Sequence, residues 1–199
     1  MNNPIVNEIL RMEKEVFSNI SLESISVYVF LKNEYEKGNI KDNTLFQFVF
    51  RSYYRLDNGG LGDDLKKKYF ELLANKQNDL RKILLELYSI PNIRNLQAIQ
   101  FSFATKLLHT INNNNPIFDA KVSRVFTKRV SGSSMEEKID SCLEIYEFLK
   151  NMYSMLIVDE QIIILISDFR EKFSVKKNDI SDIKILDFII WSLGKLKSR

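Results

Sequence analysis

Six glycines and three prolines in 199 residues leave the chain few places at which to turn sharply. No stretch repeats a strand–turn–strand rhythm, and apolar residues recur three and four positions apart, the spacing that lines one face of a helix. Ile5, Ile9, Met12 and Val16 form the first such stripe. A second helix is predicted over residues 22–37, with Gly38 as its stop. The segment DNTLFQFVFRSYYRL opens on Asp42 or Asn43 as cap, and its apolar set runs nearly all round, which predicts a central helix. After the DNGGLGDD loop, Asp63 or Asp64 can cap LKKKYFELLANK. A further helix is expected over about 79–89, ending before Pro91. Asp119 then caps AKVSRVFTKRV, where Val122, Val125, Phe126 and Val130 share a face. Ser134, three residues before Glu137, forms a capping box, and two last helices cover roughly 158–173 and 180–197. The expected fold class is all-α: one compact domain over 1–199 with eight to ten helices. Its N- and C-terminal helices would form one lobe and a hairpin-shaped central segment the other.

Composition narrows the class further. With 45% hydrophobic and 28% charged residues the chain is ordinary for a globular protein, and its length can bury a core without staples. The lone Cys142 excludes an internal disulfide framework and agrees with a reducing compartment. One histidine and one cysteine argue against a zinc site. A net charge of +3 is compatible with a polyanionic partner without demanding one. The N-terminal MNNPIVNEILRMEKEVF carries charges where a signal peptide is apolar, and MLIVDEQIIILISDF is broken by Asp159 and Glu160 and too short to span a bilayer. No membrane association and a cytoplasmic location are therefore expected.

The segment SFATKLLHTINNNNPIFDAKV, residues 102–122, sets Lys106 and Asp119 on either side of a polyasparagine break. Ser102-Phe103-Ala104-Thr105-Lys106 and Pro116-Ile117-Phe118-Asp119 resemble the active-site segment of the helix-hairpin-helix DNA glycosylases, most like the branch related to 8-oxoguanine DNA glycosylase. The likeness covers about 101–126. The family's lysine typically lies in Gly-Val-Gly-Thr-Lys, so Ser102 and Ala104 stand where it has glycines, and the connector from lysine to aspartate is shorter here. The resemblance implies a helix-hairpin-helix-like central segment within 94–130 and a damaged DNA duplex as partner. It also implies base excision, with abasic-site lyase activity as a possible second step. No metal and no cofactor are called for.

Such an enzyme takes its target base out of the stack to reach the sugar. An uncharged lysine amine attacks the anomeric carbon and forms a Schiff base, and a carboxylate stabilises positive charge on the sugar. The resemblance gives Lys106 the first role and Asp119 the second. Burial against Phe103, Leu107 and Phe118 would favour the uncharged amine, and an aspartate at a helix N-terminus meets amides and the helix dipole. Ser102, Ala104 and Thr105 in the hairpin, with Lys121 and Arg124, are the candidate DNA contacts; Arg94, Lys128 and Arg129 add charge nearby. His109, on the same helix face as Lys106, is an accessory candidate for orienting water or phosphate, and Phe101, Phe118, Tyr53 and Tyr54 are candidates for stacking on a base. Periodicity alone reads Lys106 more plainly. Leu96, Ile99, Phe103, Leu107 and Ile111 could line an uninterrupted helix, with Lys106 roughly 60° from Phe103 and snorkelling to water. The second expectation is accordingly a non-catalytic helical module that binds nucleic acid or protein.

Overall fold

The computed structural model describes residues 3–57 and 60–197, so part of the DNGGLGDD loop lies outside the described residues. The described residues contain α-helices and no strand. The helices are α1 (Pro4–Arg11), α2 (Glu13–Ser18), α3 (Leu22–Lys37), α4 (Thr44–Tyr54), α5 (Asp63–Ala74) and α6 (Leu80–Tyr88). They continue with α7 (Phe101–Ile111), α8 (Ala120–Phe126), α9 (Met135–Leu156), α10 (Glu160–Phe173) and α11 (Asp182–Leu196). These eleven exceed the expected eight to ten, and one added break is at Met12. There φ −111° and ψ 20° interrupt the helical backbone, splitting the first apolar stripe into α1 and α2.

Caps carry much of the local logic. Asn3, Ser21, Asn43, Asp79, Asp119, Ser134, Asp159 and Ser181 each accept a backbone N–H in the first turn of the helix that follows. Ser134 and Glu137 make the reciprocal box. At α5 the N-cap is Gly62, and Asp63 and Asp64 sit inside the first turn, where their charge complements the dipole. Gly38 ends α3 at φ +79°.

Helix α4 is not the central helix its composition suggested. Phe46, Phe50 and Tyr54 form one buried stripe, while Leu45 and Phe48 stand 62% and 59% exposed on the opposite side. The most enclosed helices are α11 and α7, the latter burying Phe101, Ala104, Thr105, Lys106, Leu107, Leu108 and His109. Helix α7 packs on α5 and α6, and α6 packs in turn on α9. The C-terminal α11 receives α8 along its length and also packs on α1, α2 and α10. Gly194 makes the α8–α11 approach possible, since a Cβ there would overlap the Lys121 carbonyl group. Two strands of packing thus converge on the gap between α7 and α8, where the polyasparagine segment runs.

Candidate active site

The helix that carries Lys106 begins at Phe101, so Ser102-Phe103-Ala104-Thr105-Lys106 is helical and forms no hairpin. The amides of Phe103 and Ala104 donate to the Gln100 carbonyl. The tight turn lies upstream, between α6 and α7. There the Asn92 side chain accepts from the amides of Arg94 and Leu96, the Ile93 amide donates to the Gly60 carbonyl, and Asn95 takes φ +57°. Leu96 is therefore in a loop and exposed, and the uninterrupted helix from Leu96 to Ile111 does not form.

The asparagine run is built as a stop. The Asn115 amide closes a turn on the Asn112 carbonyl, and the Asn112 side chain accepts from the Asn114 amide. Asn115 also donates its side-chain N–H to the Leu108 carbonyl, which already accepts the Asn112 amide at the end of α7. The chain then returns antiparallel to its own helix, and Thr105 clamps it. Thr105 Oγ1 accepts the Phe118 N–H at 3.0 Å, and the hydroxyl lies 3.1 Å from the Ser102 carbonyl and 3.2 Å from that of Phe118. Thr105 precedes Lys106 and Phe118 precedes Asp119, so one buried side chain fixes the two candidate residues relative to each other.

Lys106 and Asp119 both line a cavity of about 420 Å³. Tyr53, Tyr54, Phe188 and Trp191 give it aromatic walls, and Arg55, Lys121, Lys184 and Asp187 bring charge. Lys106 is only 9% exposed. Its Nζ donates to the Tyr54 carbonyl at 3.2 Å, a free acceptor at the end of α4, and sits 4.8 Å from the centre of the Phe103 ring. Burial lowers its pKa from 10.5 to about 8; Asp119 and Asp187 oppose that, while Lys184 and Arg55 assist. Asp119 has its acceptor capacity committed. Oδ1 takes the amides of Lys121 and Val122 at 2.7 and 3.0 Å, and Oδ2 takes the Trp191 indole N–H at 3.1 Å. So held, the carboxylate is fixed in place at the cavity wall.

The remaining sequence candidates divide. Ser102 and Lys121 line the cavity, and Arg124 is exposed on α8. Ala104 and Thr105 are fully buried, so neither meets a partner directly; their positions inside a packed helix replace the expected hairpin contacts. Phe101 and Phe118 are buried against each other, ring centres 4.7 Å apart, which removes them as residues that stack on a base. His109 is also buried and faces elsewhere. Its Nδ1–H donates to the Asn115 carbonyl at 2.7 Å and its Nε2 accepts from the Tyr28 hydroxyl at 3.1 Å. Both nitrogens are thereby used in structure. It borders a separate cavity of about 190 Å³ with Tyr28 and Tyr35. Lys128 lies over the Phe148 ring, and Arg94 and Arg129 are exposed.

Sequence reasoning missed Lys184, Asp187 and Trp191, which α11 brings to the cavity from the far end of the chain. A signal was present: Lys184 and Asp187 sit three apart within IKILDFIIW, where nearly every neighbour is apolar. Among the described residues no group of three or more His, Cys, Asp or Glu could hold a metal ion. No helix among them is long and apolar enough to cross a membrane. Comparison with protein-family models, curated proteins and solved structures gives no significant match.

Proposed function

We propose that the chain is a DNA-repair-type glycosylase with associated abasic-site lyase chemistry, using Lys106 as nucleophile and Asp119 as electrostatic partner. One observation carries the reading: Lys106 and Asp119 line one open cavity, with the Lys106 amine itself buried beside the Phe103 and Tyr54 rings. With its pKa near 8, an appreciable fraction of Lys106 is uncharged at neutral pH. The amine lone pair attacks the anomeric carbon as the glycosidic C–N bond breaks toward the base, and the proton lost from the amine balances the one gained by the base. Opening of the sugar ring then leaves an imine between Nζ and the former anomeric carbon. Asp119, anchored by two amides and an indole, stabilises the positive charge that builds on the sugar. The cavity volume falls within the range of small-molecule pockets and suits one extruded nucleotide base.

A second reading draws on the Lys106–Tyr54 hydrogen bond. A lysine at the C-terminus of α4 satisfies a free carbonyl, and a non-catalytic binding module could keep it for that alone. Borohydride trapping separates the two. Duplexes carrying an abasic site or 8-oxoguanine are incubated with the full chain and reductant, and hydride converts any imine to a stable amine. The glycosylase reading expects an adduct that is lost in Lys106→Ala and kept in Lys67→Ala. Absence of an adduct on both duplexes sinks it.

A further inference from the structure

The smaller cavity beside His109, of about 190 Å³, takes no part in the chemistry above. Tyr28, Lys32, Tyr35 and Glu36 line it from one face of α3, at helical positions i, i+4, i+7 and i+8. Phe50 and Tyr54 close it from α4, and the end of α7 with the start of the asparagine run forms the remaining wall. That run is pinned in place, because the Ser181 hydroxyl donates to the Asn113 carbonyl at 3.0 Å.

Three hydroxyls in this wall keep hydrogen-bonding capacity that the fold leaves unused. His109 gives its Nδ1 proton to the Asn115 carbonyl, so Nε2 is the acceptor and takes the Tyr28 hydroxyl proton at 3.1 Å. With that proton committed, the Tyr28 oxygen is left to accept. Thr110 is in the same position, having given its proton to the Lys106 carbonyl at 2.8 Å. Tyr35 is the complement: its hydroxyl oxygen is buried and has no hydrogen-bond partner among the described residues, so it has a proton to give. A buried phenol of this kind is a poor choice for packing alone, since phenylalanine fills the same space without an unmet polar group. Lys32 and Glu36 bring opposite charges that cancel: Lys32 Nζ is 3.7 Å from Glu36 and donates to the carbonyls of Asn178 and Asp179.

We infer that this cavity binds a free, uncharged heterocycle of nucleobase size, with an N–H for the Tyr28 oxygen and a carbonyl for the Tyr35 hydroxyl. Seven residues are two helical turns, so Tyr28 and Tyr35 leave the same face of α3 about 10 Å apart along its axis. A ligand that bridges them carries donor and acceptor on opposite edges of one ring, as a pyrimidine base does. An ion fits poorly, because the wall has no net charge to pair with it and burial holds His109 neutral. The volume is below the roughly 300 Å³ at which drug-sized pockets begin, which favours the bare ring over a nucleoside. None of this draws on Lys106 as nucleophile.

His109 is the single histidine, so its imidazole gives an unambiguous signal at the cavity wall. Full-length ¹⁵N-labelled protein is titrated with uracil while the imidazole nitrogens are followed by NMR. Uracil should shift them saturably, with a dissociation constant in the millimolar range expected of so small a ligand. Tyr35→Phe removes the free donor without breaking any internal hydrogen bond, so it should fold like the wild type and bind uracil about fivefold to tenfold more weakly. Benzene tests for mere apolar filling and uridine for tolerance of an attached sugar, and neither should match uracil. A His109 signal that uracil does not shift saturably overturns the inference, as does equal uracil affinity in Tyr35→Phe. Benzene binding as tightly as uracil overturns the polar recognition, and uridine binding as tightly overturns the assignment to a free heterocycle.

Discussion

Replacing Lys106 with methionine should make the folded chain more stable at neutral pH while removing the chemistry proposed for it. Burial lowers the amine from 10.5 to about 8. At about 1.4 kcal/mol per pH unit, holding this proton in the fold costs about 3 kcal/mol below pH 8. Methionine is unbranched and apolar and fills an irregular apolar gap well. It gives up the hydrogen bond to the Tyr54 carbonyl, worth about 1 kcal/mol. The net expectation is a gain of about 2 kcal/mol at pH 7. Its pH dependence follows from the sign. The folded amine releases its proton at about 8 and the unfolded one at 10.5, so between them the unfolded chain binds more protons and wild-type stability climbs with pH. The variant's advantage should therefore shrink across that window and reverse by about 1 kcal/mol above it. Urea unfolding followed by circular dichroism from pH 6.5 to 11 measures both curves. A variant less stable than wild type at pH 7, or a difference that does not change with pH, would refute the claim that a desolvated ammonium is stored at this position.

Two further perturbations probe the frame around the site. Burial, aided by Lys184 and opposed by the Asn115 carbonyl, lowers His109 from 6.5 to about 3, so its contribution is intact above 6.5 and lost as pH falls toward 3. Urea midpoints should show about 3 kcal/mol less acid destabilisation at pH 4 in His109→Gln than in wild type, and parallel declines would remove His109 from the account. Gly194→Ala pushes a methyl into the Lys121 carbonyl and forces α8 away from α11. It should cost about 2 kcal/mol and change the emission of Trp191, the single tryptophan, whose indole holds Asp119.

Periodicity and caps carried the fold a long way. Asn43, Asp119 and Ser134 start helices as the sequence suggests, because a short side-chain oxygen can reach a free amide, a local event; at α5 the cap falls on Gly62, one residue before the expected aspartates. Misreadings arose where tertiary packing chose between equally apolar faces. Nothing within TLFQFVFRSYY says that Leu45 and Phe48 face water while Phe46 and Phe50 face the core. The same limit governs the site. Lys106 and Asp119 are thirteen positions apart and joined by a turn of recognisable chemistry, so their meeting was legible. Lys184, Asp187 and Trp191 reach the cavity on α11, whose close approach to α8 Gly194 permits. That approach is a long-range packing fact with no local signature.

The absence of hairpin glycines before Lys106 acquires a physical meaning once the backbone is known. A glycine-rich hairpin offers its own amides to phosphate, because it can approach closely and take positive φ. Here the turn between α6 and α7 is made by asparagine, and its amides are already spent: those of Arg94 and Leu96 on the Asn92 side chain, and that of Ile93 on the Gly60 carbonyl. Ser102 and Ala104 meanwhile need no special backbone, since they lie inside α7, and Ala104 is small where the helix is fully enclosed. A duplex held at this cavity would therefore be gripped chiefly by side-chain charge, from Arg55 and Lys121 at its rim and Arg124 beside it on α8. Binding of that kind weakens steeply with salt, by about one power of salt concentration for each phosphate neutralised. On the glycosylase proposal, asparagine chemistry in the loop would move the burden of gripping DNA from the backbone to the cations around the cavity.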